Sequence, residues 1–163
     1  MKMKTCLIFA LAAASLVAIA GDRIAAFVNK IEDGDTVLLT VTNSVKTIRY
    51  RLFGIDAPEK DQSFSRTSKA RLTELLRKQS VQIEEHGHDR YRRGLCTIYL
   101  HDGTDVNLEM IREGMAWHYT YFFTNETYAA AQKEAKESRR GLWIEKNPVE
   151  PHVFRKGGVS DRR

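Results

Sequence analysis

The chain is 163 residues long, with 26 Lys and Arg against 21 Asp and Glu, a net charge of +5 and 42% hydrophobic residues. That is enough chain for one compact core, and its two cysteines, Cys6 and Cys96, exclude a disulfide-dense scaffold. The small basic excess permits a polyphosphate partner without demanding one. At the start of the chain, Lys2 and Lys4 precede an uncharged apolar run from Cys6 to Ala20 that closes on Ala18-Ile19-Ala20. A basic start, a short apolar stretch and a small-x-small ending predict a signal peptide over residues 1–20, cleaved after Ala20. The run is shorter than the roughly 20 residues a spanning helix needs. The expected product is secreted or periplasmic, with no membrane insertion after cleavage. Cleavage removes Lys2, Lys4 and Cys6, leaving a net charge of +3 and Cys96 alone. No internal disulfide is then available, and Cys96, inside Leu95-Cys96-Thr97-Ile98-Tyr99-Leu100, reads as a buried thiol without chemistry.

From Ile24 to Phe53 the chain is rich in Val, Ile, Leu, Thr and Tyr, broken at Glu32-Asp33-Gly34-Asp35 and at Thr42-Asn43-Ser44. This predicts three consecutive strands. After Pro58 the spacing becomes helical, with Phe64, Ala70, Leu72, Leu75 and Leu76 on one side, predicting a helix over Ser63 to Lys78. Val81 to Glu85 and Leu95 to Leu100 read as two further strands, the second ending at the Asp102-Gly103 turn. A second helix runs from Val106 to Glu113 and stops at Gly114; a third starts at a Thr124 or Asn125 cap and ends at Gly141. The expected fold is α+β: a five-stranded, antiparallel, OB-type Greek-key β-barrel with three α-helices, spanning residues 21–146. Residues 147–163, with Pro148, Pro151, Gly157, Gly158 and terminal arginines, read as a flexible basic tail.

Three short motifs carry chemistry. Asp33-Gly34-Asp35-Thr36 sets two carboxylates around a glycine able to take a positive φ, which suits a hard cation and equally suits an ordinary turn. Arg51-Leu52-Phe53-Gly54-Ile55-Asp56-Ala57-Pro58-Glu59 ends a strand in two more carboxylates, stiffened by proline; alone it also reads as a helix start. Asp89-Arg90-Tyr91-Arg92-Arg93-Gly94 places guanidinium forks, matched to phosphate, at the start of a strand, or forms a solvated basic turn. Together, and in this order, they supply the parts of metal-assisted phosphodiester cleavage. His86-Gly87-His88 lacks a third ligand and reads as two exposed loop histidines.

These motifs, with Asn107-Leu108-Glu109-Met110-Ile111-Arg112-Glu113-Gly114 and Arg140-Gly141-Leu142-Trp143, closely resemble the staphylococcal nuclease family from about Ile24 to Ile144. The resemblance implies a Ca2+ ion held by Asp35, Asp56 and the backbone carbonyl of Ala57, with Asp33 orienting waters or neighbouring ligands. It further implies Glu59 as the base that activates water, and Arg51 and Arg93 as the grip on the scissile phosphate. Tyr119 and Tyr121 resemble the family's pocket tyrosines; the alternative is an aromatic cluster packing the third helix onto the barrel. Arg92, with Arg90, falls beside Arg93 as a contact to flanking phosphates. The implied enzyme is a monomer that cuts single-stranded or locally opened DNA and RNA, with little sequence preference, to 3′-phosphate ends. The competing reading is a non-catalytic OB-type binding module, which has no need to keep Asp35, Asp56, Glu59, Arg51 and Arg93 together.

Overall fold

In the computed structural model, which describes residues 23–77 and 80–157, alternating side chains along five strands line one closed barrel. β1 (Ile24–Ile31) turns Ala26 and Val28 inward, β2 (Thr36–Val41) turns in Val37 and Leu39, and β3 (Thr47–Leu52) turns in Tyr50 and Leu52. The two-residue β4 (Ile55–Asp56) then leaves the barrel. After α1 (Ser65–Leu75), β5 (Ser80–His88) adds Val81 and Ile83, and β6 (Gly94–Tyr99) adds Cys96 and Ile98. The strands neighbour one another in the order β1-β2-β3-β6-β5, and β5 pairs back onto β1.

The expected α+β barrel is present, with one correction to its strand directions. β3 and β6 run parallel, Tyr50 opposite Gly94 and Leu52 opposite Cys96, while the other four pairings are antiparallel. A closed ring with an odd number of strands cannot alternate direction all the way round, so one neighbouring pair must be parallel. Gly94 is required at that junction because a Cβ there would lie 2.4 Å from the Tyr50 ring.

α1 packs on β1 and α2 on β6. In α1, Ser68, Leu72 and the following Leu76 are buried at i, i+4 and i+8, one stripe of the helix surface. α2 (Val106–Arg112) starts at Asp105, whose carboxylate accepts the Leu108 N–H at 2.9 Å and the Tyr128 hydroxyl at 3.0 Å. Asn107 is fully buried; it accepts from the Ile98 N–H and donates to the carbonyls of Phe53 and Cys96, joining α2 to the ends of β3 and β6. β7 (Trp117–His118), absent from the expected elements, pairs with β4, and α3 (Glu126–Glu137) follows its Asn125 cap.

Of the segment expected to be a flexible tail, residues 147–157 are described, and part of it docks. After a 3-10 turn at Gly141–Ile144, α4 (Pro151–Phe154) lies against the domain with Pro151 buried, and Gln62 Nε2 donates to the Val149 carbonyl at 3.0 Å. Proline presets the first helical turn, and the acid partners of Arg155 reward docking. The expected signal peptide and its cleavage site lie outside the described residues. Among those described, no helix is long and apolar enough to cross a membrane.

Candidate active site

The turn between β1 and β2 is built to hold carboxylates. Asp33 Oδ1 accepts the Asp35 N–H at 3.0 Å, and the Leu52 N–H donates to the Asp35 carbonyl at 2.8 Å, fastening the turn to β3. Gly34 is needed for room rather than for the positive φ expected of it: it is not among the positive-φ glycines. A Cβ at Gly34 would fall 2.0 Å from Ser68 Oγ and 2.8 Å from the Ala57 Cβ. Its bareness lets α1 and the residue after Asp56 close onto the turn.

Around this turn, Asp35, Asp56 and Arg51 meet. Asp35 and Asp56 are 2% and 1% exposed, side chains that are seldom buried without partners. Arg51, opposite Thr36 in the β2–β3 ladder, donates Nη1 to Asp35 Oδ1 at 3.0 Å and Nη2 to Asp56 Oδ1. The other Asp35 oxygen accepts the Ala57 N–H at 2.8 Å. Burial works against the charge on Arg51, but Asp35 and Asp56 outweigh it and raise its pKa. At Asp33, burial and then the neighbouring Asp35 push the carboxyl up to about 6.

Glu59 stands just beyond, in the loop before α1. Its N–H donates to Gln62 Oε1 at 2.8 Å, and its Oε1 accepts Arg155 Nη1 at 2.5 Å. Arg155 also grips both oxygens of Asp56 at 3.0 Å. Sequence reasoning missed Arg155 and Gln62; proline at the start of α4 was the signal that the segment is structured.

Arg93 does not join this cluster. It pairs with Asp89, Nε to Oδ2 at 2.7 Å, while its N–H donates to Asp89 Oδ1, and the guanidiniums of Arg90 and Arg93 lie over the exposed ring of Tyr91. Burial opposes ionisation of Asp89, but the hydrogen bonds from Arg93 and Tyr91 prevail and lower its pKa. Arg92 is exposed, with φ 64°. Tyr119 and Tyr121 border a cleft of about 80 Å³ that also touches Asp56, and both rings face His152 of α4, at 6.1 and 5.0 Å. His86 and His88 belong to β5 rather than to a loop. His86 stacks on Phe53 at 4.3 Å and bonds Thr97, because the strand continues past Glu85 with a register shift. Among the described residues no three or more His, Cys, Asp or Glu side chains are grouped as metal ligands; Asp35 and Asp56 supply two carboxylates.

Comparison with known proteins identifies the family. Residues 49–145 match the family model for staphylococcal nuclease homologues. The chain belongs to the staphylococcal nuclease family. An uncharacterized endonuclease of Haemophilus influenzae is 42% identical over 127 residues, covering 78% of this chain and 70% of that protein. A protein named micrococcal nuclease in Shigella flexneri is 39% identical over 137 residues, 78% of each chain. An uncharacterized endonuclease of Escherichia coli is 39% identical over 126 residues, 77% of this chain and 81% of that one. As a staphylococcal nuclease homologue, the protein is a hydrolase of the nuclease class, with nucleic acid as its substrate class.

Proposed function

We propose that this chain is an exported, calcium-dependent endonuclease that hydrolyses DNA and RNA with little sequence preference and leaves 3′-phosphate ends. The observation that carries the reading is the convergence of Asp35 and Asp56, both buried, on the single guanidinium of Arg51. The donor set fits a hard cation. Asp35 and Asp56 share the Arg51 guanidinium, Arg155 joins Asp56 to Glu59, and Asp33, raised by burial and then by Asp35, borders the same turn. Carboxylate and carbonyl oxygens suit calcium.

Asp35, Asp56 and the Ala57 carbonyl would hold the ion, with Asp33 fixing the Asp35 backbone through its hydrogen bond. Bound calcium supplies positive charge at the phosphate oxygens. Arg51 presents its guanidinium to the phosphate, where charge develops in the transition state. Arg93 exchanges part of its pairing with Asp89 for the phosphate, and Arg92 and the Tyr91 ring face the flanking nucleotides. Glu59 accepts a proton from the attacking water as it bonds phosphorus; the bond to the 5′ oxygen breaks and that oxygen takes up a proton. The ends are a 3′-phosphate and a 5′-hydroxyl. Tyr119 and Tyr121 offer hydroxyls and faces to the terminal nucleotide beside the Asp56 cleft.

Mass spectrometry of oligonucleotides digested by residues 21–163 tests this reading. Fragments carrying 3′-phosphate are expected from both DNA and RNA; fragments with 5′-phosphate and 3′-hydroxyl ends would contradict it.

A further inference from the structure

The C-terminal segment reaches Glu59 by two separate routes. Through the backbone, Val149 holds Gln62 Nε2, and the Oε1 of the same amide accepts the Glu59 N–H at 2.8 Å. Through the side chain, Arg155 holds Glu59 Oε1 at 2.5 Å while gripping both oxygens of Asp56. The segment between these anchors is itself fixed, by buried Pro151 and by His152 lying against the rings of Tyr119 and Tyr121. A glutamate on a loop has several accessible rotamers; one fixed at both amide and carboxylate, relative to Asp56, has few.

We propose that residues 149–155 form a brace for the active site, in which Arg155 and Gln62 are positioning residues that set Glu59 relative to Asp56. This rests on the reading of Glu59 as the group that activates water. The brace also explains the architecture of the Arg155 contact. A guanidinium fork spans two carboxylates at a fixed separation, and a Lys ammonium, a point charge, cannot hold both Asp56 oxygens in the same way. The side chain of Arg155 is 37% exposed, and in this proposal a cation on Asp56 would replace one of its two bonds to that carboxylate and leave the bond to Glu59.

The test compares Arg155→Ala, Arg155→Lys, Gln62→Ala and Glu59→Gln, with calcium-dependent digestion of single-stranded DNA, calorimetric titration with Ca2+, and hydrogen exchange at the Glu59 amide. Misplacing a catalytic group by an ångström costs on the order of 100-fold, so Arg155→Ala should lower kcat by about 10- to 100-fold with KM little changed, and Arg155→Lys should recover part of the loss. Gln62→Ala should speed exchange of the Glu59 amide and lower kcat in the same way. Calcium affinity should hold or tighten for Arg155→Ala, because no Asp56 oxygen has to be released from the guanidinium. An unchanged kcat in Arg155→Ala, while Glu59→Gln loses turnover, would overturn the brace alone. A rise in kcat with tighter calcium binding would also overturn it, making Arg155 a plug over the site. Full turnover in Glu59→Gln would overturn both the brace and the role of Glu59.

Discussion

Arg51 satisfies two buried carboxylates with one planar group, and that geometry fixes what can replace it. Arg51→Lys keeps the charge but cannot bridge Asp35 and Asp56 while facing a phosphate; its turnover should fall by roughly 100-fold or more, measured on single-stranded DNA. Gly34 is constrained by space alone. Gly34→Ala must move Ser68 or Ala57 and should cost about 1–3 kcal/mol in urea unfolding; a neutral result would mean that α1 yields freely. At this scale the sequence was legible where chemistry resides in residue type: Asp35, Asp56 and Arg51 come together as their motifs imply. It was not legible where proximity is decided by the chain elsewhere. Arg155 lies 99 residues from Asp56, and nothing local in either segment announces the other. Arg93 is held instead by Asp89, four residues upstream in the same motif.

The short β4–β7 pair decides how the site meets the third helix. His118, opposite Ile55 on that pair, is 6% exposed and bonds the Phe123 carbonyl through Nε2, and its N–H donates to Gln132 Oε1. Burial lowers its pKa, partly offset by the bond to Phe123. A histidine with a folded pKa below its unfolded value of about 6.5 contributes stability that is complete above that value. The contribution is lost as pH falls from about 6.5 toward the folded pKa, by at most about 1.4 kcal/mol per pH unit. Burial lowers the pKa of His86 too, so it adds a slope of the same sign. Urea unfolding at pH 7.5 and pH 5 should show a smaller acid loss for His118→Gln than for the parent. Equal losses would show that His118 is not held neutral by burial. Strand and helix periodicities made most elements visible, with ends shifted by a few residues. A two-residue strand such as Trp117–His118 has no periodicity to read, and the parallel β3–β6 pairing leaves no mark on either strand's alternation.

For the whole molecule, one barrel carries the Asp35–Asp56–Arg51 cluster beside the β1–β2 turn, and residues 149–155 dock against Glu59 and Asp56. Composition reports the average solubility of a segment, which leads to the expectation of a flexible tail, whereas docking of residues 149–155 is decided by two contacts, buried Pro151 and the acid-bound Arg155. The proposed export makes its own prediction: protein recovered from outside the cytoplasm should begin at Gly21, as read by N-terminal sequencing, and a start at Met1 would contradict cleavage. In the proposed reaction, turnover runs through a calcium ion held by Asp35 and Asp56. The direct measurement is the rate of single-stranded DNA digestion by residues 21–163 with Ca2+ and with excess chelator, for the parent and for Asp56→Asn. Cleavage by the parent is expected with calcium and none with chelator, with a loss of at least about 100-fold in Asp56→Asn. Equal rates with calcium and with chelator, or full activity in Asp56→Asn, would contradict the proposed reaction.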